Sequence, residues 1–223
     1  MTSPSTNCVN NGGKAGSEWQ VLDGGANLIS SGFNVVWAVN RTLQVFYRRG
    51  ISDANPIGIV WENVGGYFIW ISVNSVNNEV WSLTDRQEVV RRLGISATDY
   101  VGVGWSGVLQ EAIKVVSVGQ AGVWTVNSAN VVFYRIGTGN GIGGEGTGWE
   151  LVDGSLKQVS SGDGVVWGVD ENNNIFKRTG INDTNPTGIE WEPISDTLSQ
   201  VSVSSASNFV WGLDGGSVYQ RMF

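Results

Sequence analysis

The residues best suited to chemistry in this sequence are tryptophans, each followed by a polar residue and then by an arginine. Trp167, for example, is followed by Asp170 and Arg178. The comparable sets are Trp37, Asn40 and Arg48; Trp124, Asn127 and Arg135; Trp211, Asp214 and Arg221; and Trp81, Thr84 and Arg91. Proteins bind sugar rings through an aromatic face and a few fixed donors and acceptors. These sets are therefore candidate carbohydrate-binding sites.

A second series of tryptophans leaves the choice between binding and packing open. Its members are Trp19, Trp61, Trp105, Trp149 and Trp191. Evenly spaced tryptophans are also what repeated core packing would produce, because each buries roughly 200 Å². Packing is favoured for the first series, whereas both interpretations stand for the second, which is predicted to lie on exposed edge strands.

Catalytic designs find little support in the residue types. The chain has no histidine and one cysteine, Cys8, which removes Ser-His-Asp and Cys-His nucleophiles and ordinary zinc sites. Glu190 and Glu192 could share a strand face, but Glu62 and Glu150 have no such partner in their own copies. We therefore predict no enzyme, no catalytic residues, no metal and no cofactor.

Two local motifs are similar to ligand loops. The glycine-rich run 137–146 lacks the Lys and Ser/Thr of a phosphate loop and is interpreted as a flexible loop between strands. The acidic turn 170–174 could hold calcium, although a hairpin turn requires the same residues. Trp70 lies outside both tryptophan series and predicts a modified copy whose pocket is lost.

Charge and hydropathy restrict the partners. The formal net charge is −7 and the 13 basic residues form no stripe, which argues against nucleic acid. The N-terminus lacks the features of a signal peptide, and no apolar run approaches membrane-spanning length. We expect a cytoplasmic protein that does not insert into membranes and that could form a homo-oligomer.

The tryptophan spacing reveals an internal repeat. The first series, from Trp37 to Trp211, has intervals of 44, 43, 43 and 44 residues, and the second has intervals of 42, 44, 44 and 42. One copy contains four short β-prone segments, 156–162, 165–170, 174–180 and 188–194. A single meander of four strands cannot bury a core, so the copies must stack, and closing the stack into a ring removes its open ends.

This organisation predicts a single all-β domain over 1–223, a five-bladed β-propeller of four-stranded antiparallel blades. The inner strands should begin near 28, 68, 113, 156 and 198, after a flexible lead-in of 1–16. The last copy lacks an outer strand. Segment 17–24, which contains Trp19, is expected to supply it and to close the ring by pairing with 217–221.

Several stretches resemble the tectonin repeat, a family that includes fungal and slime-mould tectonins and fish egg lectins. They are 156–160, 166–170, 175–181 and 185–191, with 55–61 matching the last of these. The resemblance implies a propeller lectin with several sugar sites between or beside neighbouring blades. In some members it implies recognition of O-methylated sugars on bacteria or nematodes. Several tectonins have six shorter blades, and this sequence departs from that count.

Two functions from different classes compete, with an enzyme third. The first is a multivalent lectin that recognises O-methylated glycans, such as methylated mannose or fucose, or similar surface glycans in innate defence. The alternative is a propeller scaffold for protein–protein interaction that does not bind sugar. A lectin should repeat its aromatic and polar site residues in most copies, whereas a scaffold needs one irregular face. The recurrence of Trp, Asn or Asp, and Arg favours the lectin.

Overall fold

The computed structural model describes residues 20–108, 110, 112–204 and 209–221, and this part of the chain is built from β-strands and turns. The strands, in chain order, are β1 (Leu28–Gly32), β2 (Val35–Val39), β3 (Gln44–Arg49), β4 (Val60–Val73), β5 (Val80–Thr84), β6 (Val89–Leu93), β7 (Gly104–Val108), β8 (Ile113–Gly119), β9 (Gly122–Asn127), β10 (Val131–Arg135), β11 (Trp149–Ser155), β12 (Gln158–Ser161), β13 (Val166–Val169), β14 (Asn174–Arg178), β15 (Trp191–Thr197), β16 (Gln200–Val203), β17 (Val210–Asp214) and β18 (Ser217–Gln220). The all-β prediction is confirmed. None of the residues that the structure describes forms a helix able to cross a membrane.

Strands that follow one another in sequence pair antiparallel, giving consecutive meanders that we number as units 1 to 5. Unit 1 contains β1–β3 and the start of β4; unit 2 contains the end of β4 and β5–β7; units 3, 4 and 5 contain β8–β11, β12–β15 and β16–β18. The long strand β4 serves two units, because Trp61 pairs with Arg48 of β3 while Ser72 pairs with Trp81 of β5. The predicted antiparallel meander is therefore present.

The turn between the second and third strands of a unit requires a left-handed backbone at one fixed position. Asn130 and Asn173 occupy it in units 3 and 4, with φ of 65° and 68°. Leu43 and Gln87 occupy it in units 1 and 2, with φ of 64° and 63°. Asn tolerates this region, whereas for other side chains it costs roughly 1–2 kcal/mol. The turn is therefore imposed by pairing of the strands as well as by local sequence.

The core of the described residues consists of four apolar clusters, each lying between two neighbouring units. Each cluster contains one tryptophan of the first series: Trp37 between units 1 and 2, Trp81 between 2 and 3, Trp124 between 3 and 4, and Trp167 between 4 and 5. Because the clusters lie between units, no unit has a complete core by itself. Stacking of the units is what buries the apolar side chains.

Neighbouring units are also joined by a repeated serine contact between their first strands, which we call the serine ladder. In each step a serine Oγ accepts a hydrogen bond from a backbone N–H of the next unit: Ser30 from Val73 (3.0 Å), Ser72 from Val118 (3.0 Å), Ser117 from Ser161 (2.9 Å) and Ser160 from Val203 (2.9 Å). Units 2, 3 and 4 thus each offer an acceptor to one neighbour and a donor to the other.

The ends of the stack are open in the described residues. Ile29 on β1 is 71% exposed, whereas its counterpart Val159 on β12 is 1% exposed. Within the same part of the chain β18 pairs only with β17, so unit 5 has three strands, and residues 20–24 form no strand. The expected pairing of 17–24 with 217–221 is therefore not formed by the described part of that segment. Its tryptophan, Trp19, lies outside the described residues, as does the lead-in 1–16.

Candidate functional site

Each of units 1 to 4 carries a buried arginine stacked on a tryptophan of the second series. The distances from the guanidinium carbon to the ring centroid are 5.4 Å for Arg48 and Trp61, 5.0 Å for Arg92 and Trp105, 5.0 Å for Arg135 and Trp149, and 5.3 Å for Arg178 and Trp191. Such a stack contributes about 0.5–2 kcal/mol, more when it is desolvated. The Arg–Trp pair therefore recurs at the same place in four units.

The same arginines hold the loop between the third and fourth strands. The Nε of each donates to a loop carbonyl, at Ile57 (2.9 Å), Val101 (2.8 Å), Glu145 (2.7 Å) and Thr187 (2.7 Å). Burial lowers the pKa of Arg92 and of Arg135. An arginine begins so far above neutral pH that both side chains stay charged. The loop beside each tryptophan is thus fixed by a charged donor.

The second-series tryptophans connect units. The indole nitrogens of Trp61, Trp105 and Trp191 donate to the carbonyl oxygens of Asp23 (2.9 Å), Gly65 (3.2 Å) and Asp153 (2.8 Å), which lie 38 to 40 residues earlier in the chain. Edge-to-face ring contacts join this series to the first, with centroids 6.0 Å apart for Trp37 and Trp105, 6.5 Å for Trp81 and Trp149, and 6.3 Å for Trp124 and Trp191. Trp61, Trp105, Trp149 and Trp191 remain half-buried. Part of each ring is consequently accessible to a ligand.

Burial decides the role of most of the first series. Trp37, Trp81, Trp124 and Trp167 are buried in the clusters between units, so they present no ring face to solvent. The packing interpretation therefore applies to these four, and their assignment as sugar-contacting residues is corrected. Trp211 differs, because it is 44% exposed at the open end of unit 5.

The polar residues that follow the first series organise hairpin turns. Oδ1 of Asp170 accepts hydrogen bonds from the backbone N–H groups of Asn172 (2.9 Å) and Asn174 (2.8 Å). Asn40 and Asn127 accept the equivalent bonds in their own turns. Hairpin chemistry thus accounts for the acidic turn 170–174. Among the described residues, no group of three or more acidic or cysteine side chains is arranged to hold a metal ion.

Arg91 is not the repeat counterpart of the other arginines, and this assignment is corrected. Arg92 pairs across the sheet with Trp105, as Arg178 does with Trp191. Successive residues of a strand point to opposite faces, so the side chain of Arg91 lies on the other side of the sheet. There its Nε forms a 2.9 Å ion pair with Oε1 of Glu79.

Unit 5 leaves an open cavity next to Trp167. The guanidinium of Arg221 lies 5.5 Å from the Trp167 ring, as Arg92 lies 5.8 Å from Trp37 at the boundary between units 1 and 2. The cavity has a volume of ≈790 Å³ and is also lined by Ser195, Trp211 and Asp214. At the earlier boundaries the corresponding space is filled by a second-series tryptophan.

A second cavity, which we call the three-unit cleft, combines Arg91 and the glycine-rich run 137–146 with residues that the sequence did not single out. It measures ≈500 Å³ and is lined by Phe33 of unit 1, by Asn77, Glu79, Arg91 and Tyr100 of unit 2, and by Gly143 and Gly144 of unit 3, among others. The glycines belong to the run 137–146, which contributes a wall rather than a free loop. One residue in the sequence could have indicated this cleft. Glu79 is charged, whereas the equivalent positions in the other copies are apolar or glycine: Val35, Gly122, Val165 and Phe209.

Trp70 shows how unit 2 departs from the repeat. Its indole nitrogen donates to the carbonyl of Val116 in the next unit (2.7 Å), the bond that the Gln158 amide makes to Val201 (2.8 Å). Trp70 therefore replaces a contact between units. Unit 2 also supplies most of the polar residues of the three-unit cleft, a cavity that does not recur in the other units.

Comparison with known proteins agrees with this repetitive, propeller-like architecture. The family model "Tectonin domain" matches residues 3–118 and again 107–215. The two matches span most of the chain, which therefore belongs to the Tectonin family. A comparison with curated proteins gave no significant match.

Solved structures show the same fold at low identity. A structure of a nidogen–laminin complex matches with a TM-score of 0.60 and 9% identity over 87% of this chain and 75% of that one. Human WBSCR16 matches with a TM-score of 0.57 and 10% identity over 82% of this chain and 57% of that one. Prp20p from Saccharomyces cerevisiae matches with a TM-score of 0.56 and 9% identity over 89% of this chain and 63% of that one. This chain thus spans less than two thirds of the latter two. At such identities the matches show a propeller-like fold and nothing more.

Proposed function

We propose that this protein is a multivalent lectin that binds O-methylated or similar surface glycans, and that it acts in innate defence. The main observation behind this proposal is that units 1 to 4 each have, at the same place, a half-buried tryptophan stacked on a buried arginine. The accessible part of such a ring suits the C–H face of a sugar or an O-methyl group. The family membership supports the same reading.

The proposed sites contain fewer residues than the sets that were predicted from the sequence. They retain Trp61, Trp105, Trp149 and Trp191 with their adjoining loops, because these rings keep accessible surface. Shallow sites of this kind bind single sugars weakly. Several sites on one chain raise the avidity for a surface that repeats the same glycan.

We further propose that the chain closes into a five-bladed ring through Trp19. Asp23 supports this, because it forms a 2.7 Å ion pair with Arg48 and accepts from Trp61, as Asp153 does with Arg178 and Trp191. Asp153 follows Trp149 by four residues, and Asp23 follows Trp19 by four. Trp19 would then fill the cavity between Trp167 and Arg221 and supply the missing strand of unit 5.

Truncation tests the closure. Deleting 1–24, or replacing Trp19 by Ala, should lower the thermal midpoint by several degrees, because a tryptophan and a strand pairing are lost from unit 5. Deleting 1–16 is the matched control and should leave the midpoint unchanged. A Trp19→Ala variant that melts like the parent protein would refute the closure.

Glycan arrays that include methylated sugars, followed by calorimetry, test the lectin. We expect more than one sugar per chain, and Trp191→Phe should lower that number by about one while the remaining sites persist. Trp124→Phe is the control, since this buried ring contacts Trp191 but faces no ligand; it should lower stability without changing the stoichiometry. The multivalent proposal fails if no array glycan binds, or if the stoichiometry is one or less.

We propose a protein-interaction scaffold as the second candidate, because one protein of similar fold has protein partners. Prp20p, one of the proteins of similar fold, binds Gsp1p and histones, which are protein partners. A scaffold would give no response on the glycan array and a saturable complex with a protein. Calorimetry with the array's best glycan separates the two proposals.

A further inference from the structure

We propose that the three-unit cleft is a single, non-repeated binding site for a neutral saccharide, held by Glu79, Arg91 and Asn77 and by the ring of Phe33. The proposal rests on the glycan recognition proposed above but assigns it a site that does not recur between units. It also gives a role to Arg91, whose side chain lies on the face of the sheet opposite to the Arg–Trp stacks.

Burying the Glu79 carboxylate costs free energy, and packing of the units does not require a charged residue there. Its side chain is 7% exposed, and an apolar residue or glycine stands at its place in every other copy. A carboxylate at such a position must be compensated by a partner, and replacing the pair with apolar residues would often be neutral or stabilising. A residue that breaks a repeat in this way points to a function.

The carboxylate keeps one oxygen for a ligand. Arg91 Nε and the Gly144 backbone N–H both donate to Oε1, each at 2.9 Å. No side chain or backbone group in the described part of the chain donates to Oε2. A Cβ at Gly143 would lie 3.2 Å from Oε2 and 3.0 Å from Nδ2 of Asn77, so the glycine keeps the space beside both atoms free. An acceptor next to an amide donor is suited to a pair of sugar hydroxyls.

An aromatic platform lies beside these polar atoms. Phe33 is 55% exposed and meets Tyr100 edge to face, with ring centroids 6.3 Å apart. The Asn78 amide of the next unit fixes the platform, because it accepts from the backbone N–H of Phe33 and donates to its carbonyl. The exposed phenyl face is thus held in place to pack against the C–H groups of a pyranose.

Charge and size indicate the class of ligand. The charges of Glu79 and Arg91 cancel, and the guanidinium of Arg92 is already bonded to the carbonyls of Val101 and Gly102. The cleft therefore offers an anion no unpaired cation. A volume of ≈500 Å³ lies within the range of small-molecule sites and accommodates one or two sugar rings.

The test uses the whole protein and the methyl glycosides of glucose, galactose, mannose and N-acetylglucosamine, titrated while ¹H–¹⁵N spectra are recorded. We expect one of them to shift the amide signals of Gly143 and Gly144. Glu79→Gln should weaken that binding about tenfold or more, and Phe33→Ala, which changes an exposed ring, by about fivefold. The controls are Glu88→Gln and Tyr67→Ala, exposed residues outside the cleft, which should leave the affinity within about twofold.

The outcomes separate this inference from the multivalent proposal. If sugars bind but Gly143 and Gly144 do not shift, or Glu79→Gln binds as tightly as the parent, the cleft is not a site while glycan recognition survives. If sugar binds only in the cleft, at one per chain, the inference stands and the multivalent proposal fails. If inorganic phosphate shifts the same signals and the glycosides do not, the neutral ligand class is wrong.

Discussion

The indole nitrogen of Trp191 donates a 2.8 Å hydrogen bond to the carbonyl oxygen of Asp153, across the boundary between units 4 and 3. The same ring lies under the Arg178 guanidinium and meets Trp124 edge to face. A half-buried tryptophan thus joins a strand, a loop and the core of the preceding unit. Any ligand that binds its accessible side contacts a rigid group.

The Trp191 contacts predict a measurable coupling. Trp191→Phe should lower the free energy of unfolding by about 1–2 kcal/mol, because it loses the indole hydrogen bond and part of the stack on Arg178. Urea unfolding of this variant, of Trp124→Leu and of the double variant gives the interaction between the two rings. We expect a coupling of about 0.5–1.5 kcal/mol. Strictly additive effects would contradict the edge-to-face contact.

The serine ladder gives a test of closure that is independent of truncation. Ser160→Ala should cost about 1–3 kcal/mol, because it leaves the buried N–H of Val203 without its acceptor. Ser202 holds the equivalent place in unit 5, opposite Trp211. In a closed ring its hydroxyl would meet the N–H of Ser31, and Ser202→Ala should then cost a similar amount. A Ser202→Ala variant as stable as the parent would show that unit 5 does not contact unit 1.

Leu43 occupies a turn position that asparagine fills in units 3 and 4. Leu43→Asn should raise the free energy of unfolding by about 0.5–1 kcal/mol, since asparagine adopts a positive φ more readily. Thermal melting measures the change. Leu93→Asn is the control, because Leu93 has an ordinary backbone, and this substitution should be neutral or destabilising. Equal effects at both positions would exclude a backbone origin.

Tyr47 should give the structure a signature at high pH. Burial and the 2.7 Å hydrogen bond from its hydroxyl to Glu62 raise the pKa of Tyr47 to about 12. The folded state therefore disfavours the phenolate, so the contribution of Tyr47 to stability is complete below pH 10 and is lost as the pH rises towards 12. Ultraviolet titration should show a late-ionising tyrosine that disappears in Tyr47→Phe. A titration curve unchanged by that substitution would disprove the assignment.

Features that recur along the chain were predictable from the sequence. Tryptophan spacing and turn residues such as Asn173 indicate an antiparallel all-β repeat, because periodic packing and hairpin geometry require them. The sequence favoured burial of the first tryptophan series, but for the second series it left packing and binding open. Trp124 and Trp191 recur at the same period, and only their places on the second and fourth strands separate a core ring from a half-buried one.

Features that depend on side-chain direction or on several loops were not predictable. Arg91 and Arg92 are adjacent and chemically identical, and a shift of one residue in register moves the side chain to the opposite face. The three-unit cleft brings Phe33, Glu79 and Gly144 together from three units. No local pattern in the sequence records that proximity.

The serine ladder gives the stack a direction. Every boundary in the described residues joins a hydroxyl acceptor on one unit to a backbone donor on the next. Two acceptor faces, or two donor faces, therefore cannot form this contact with each other. A chain lengthened by tandem duplication of one unit would gain a boundary with the same chemistry and lose none. In a ring built from such units, the angle between successive units would set the number of copies, because every boundary uses the same contact.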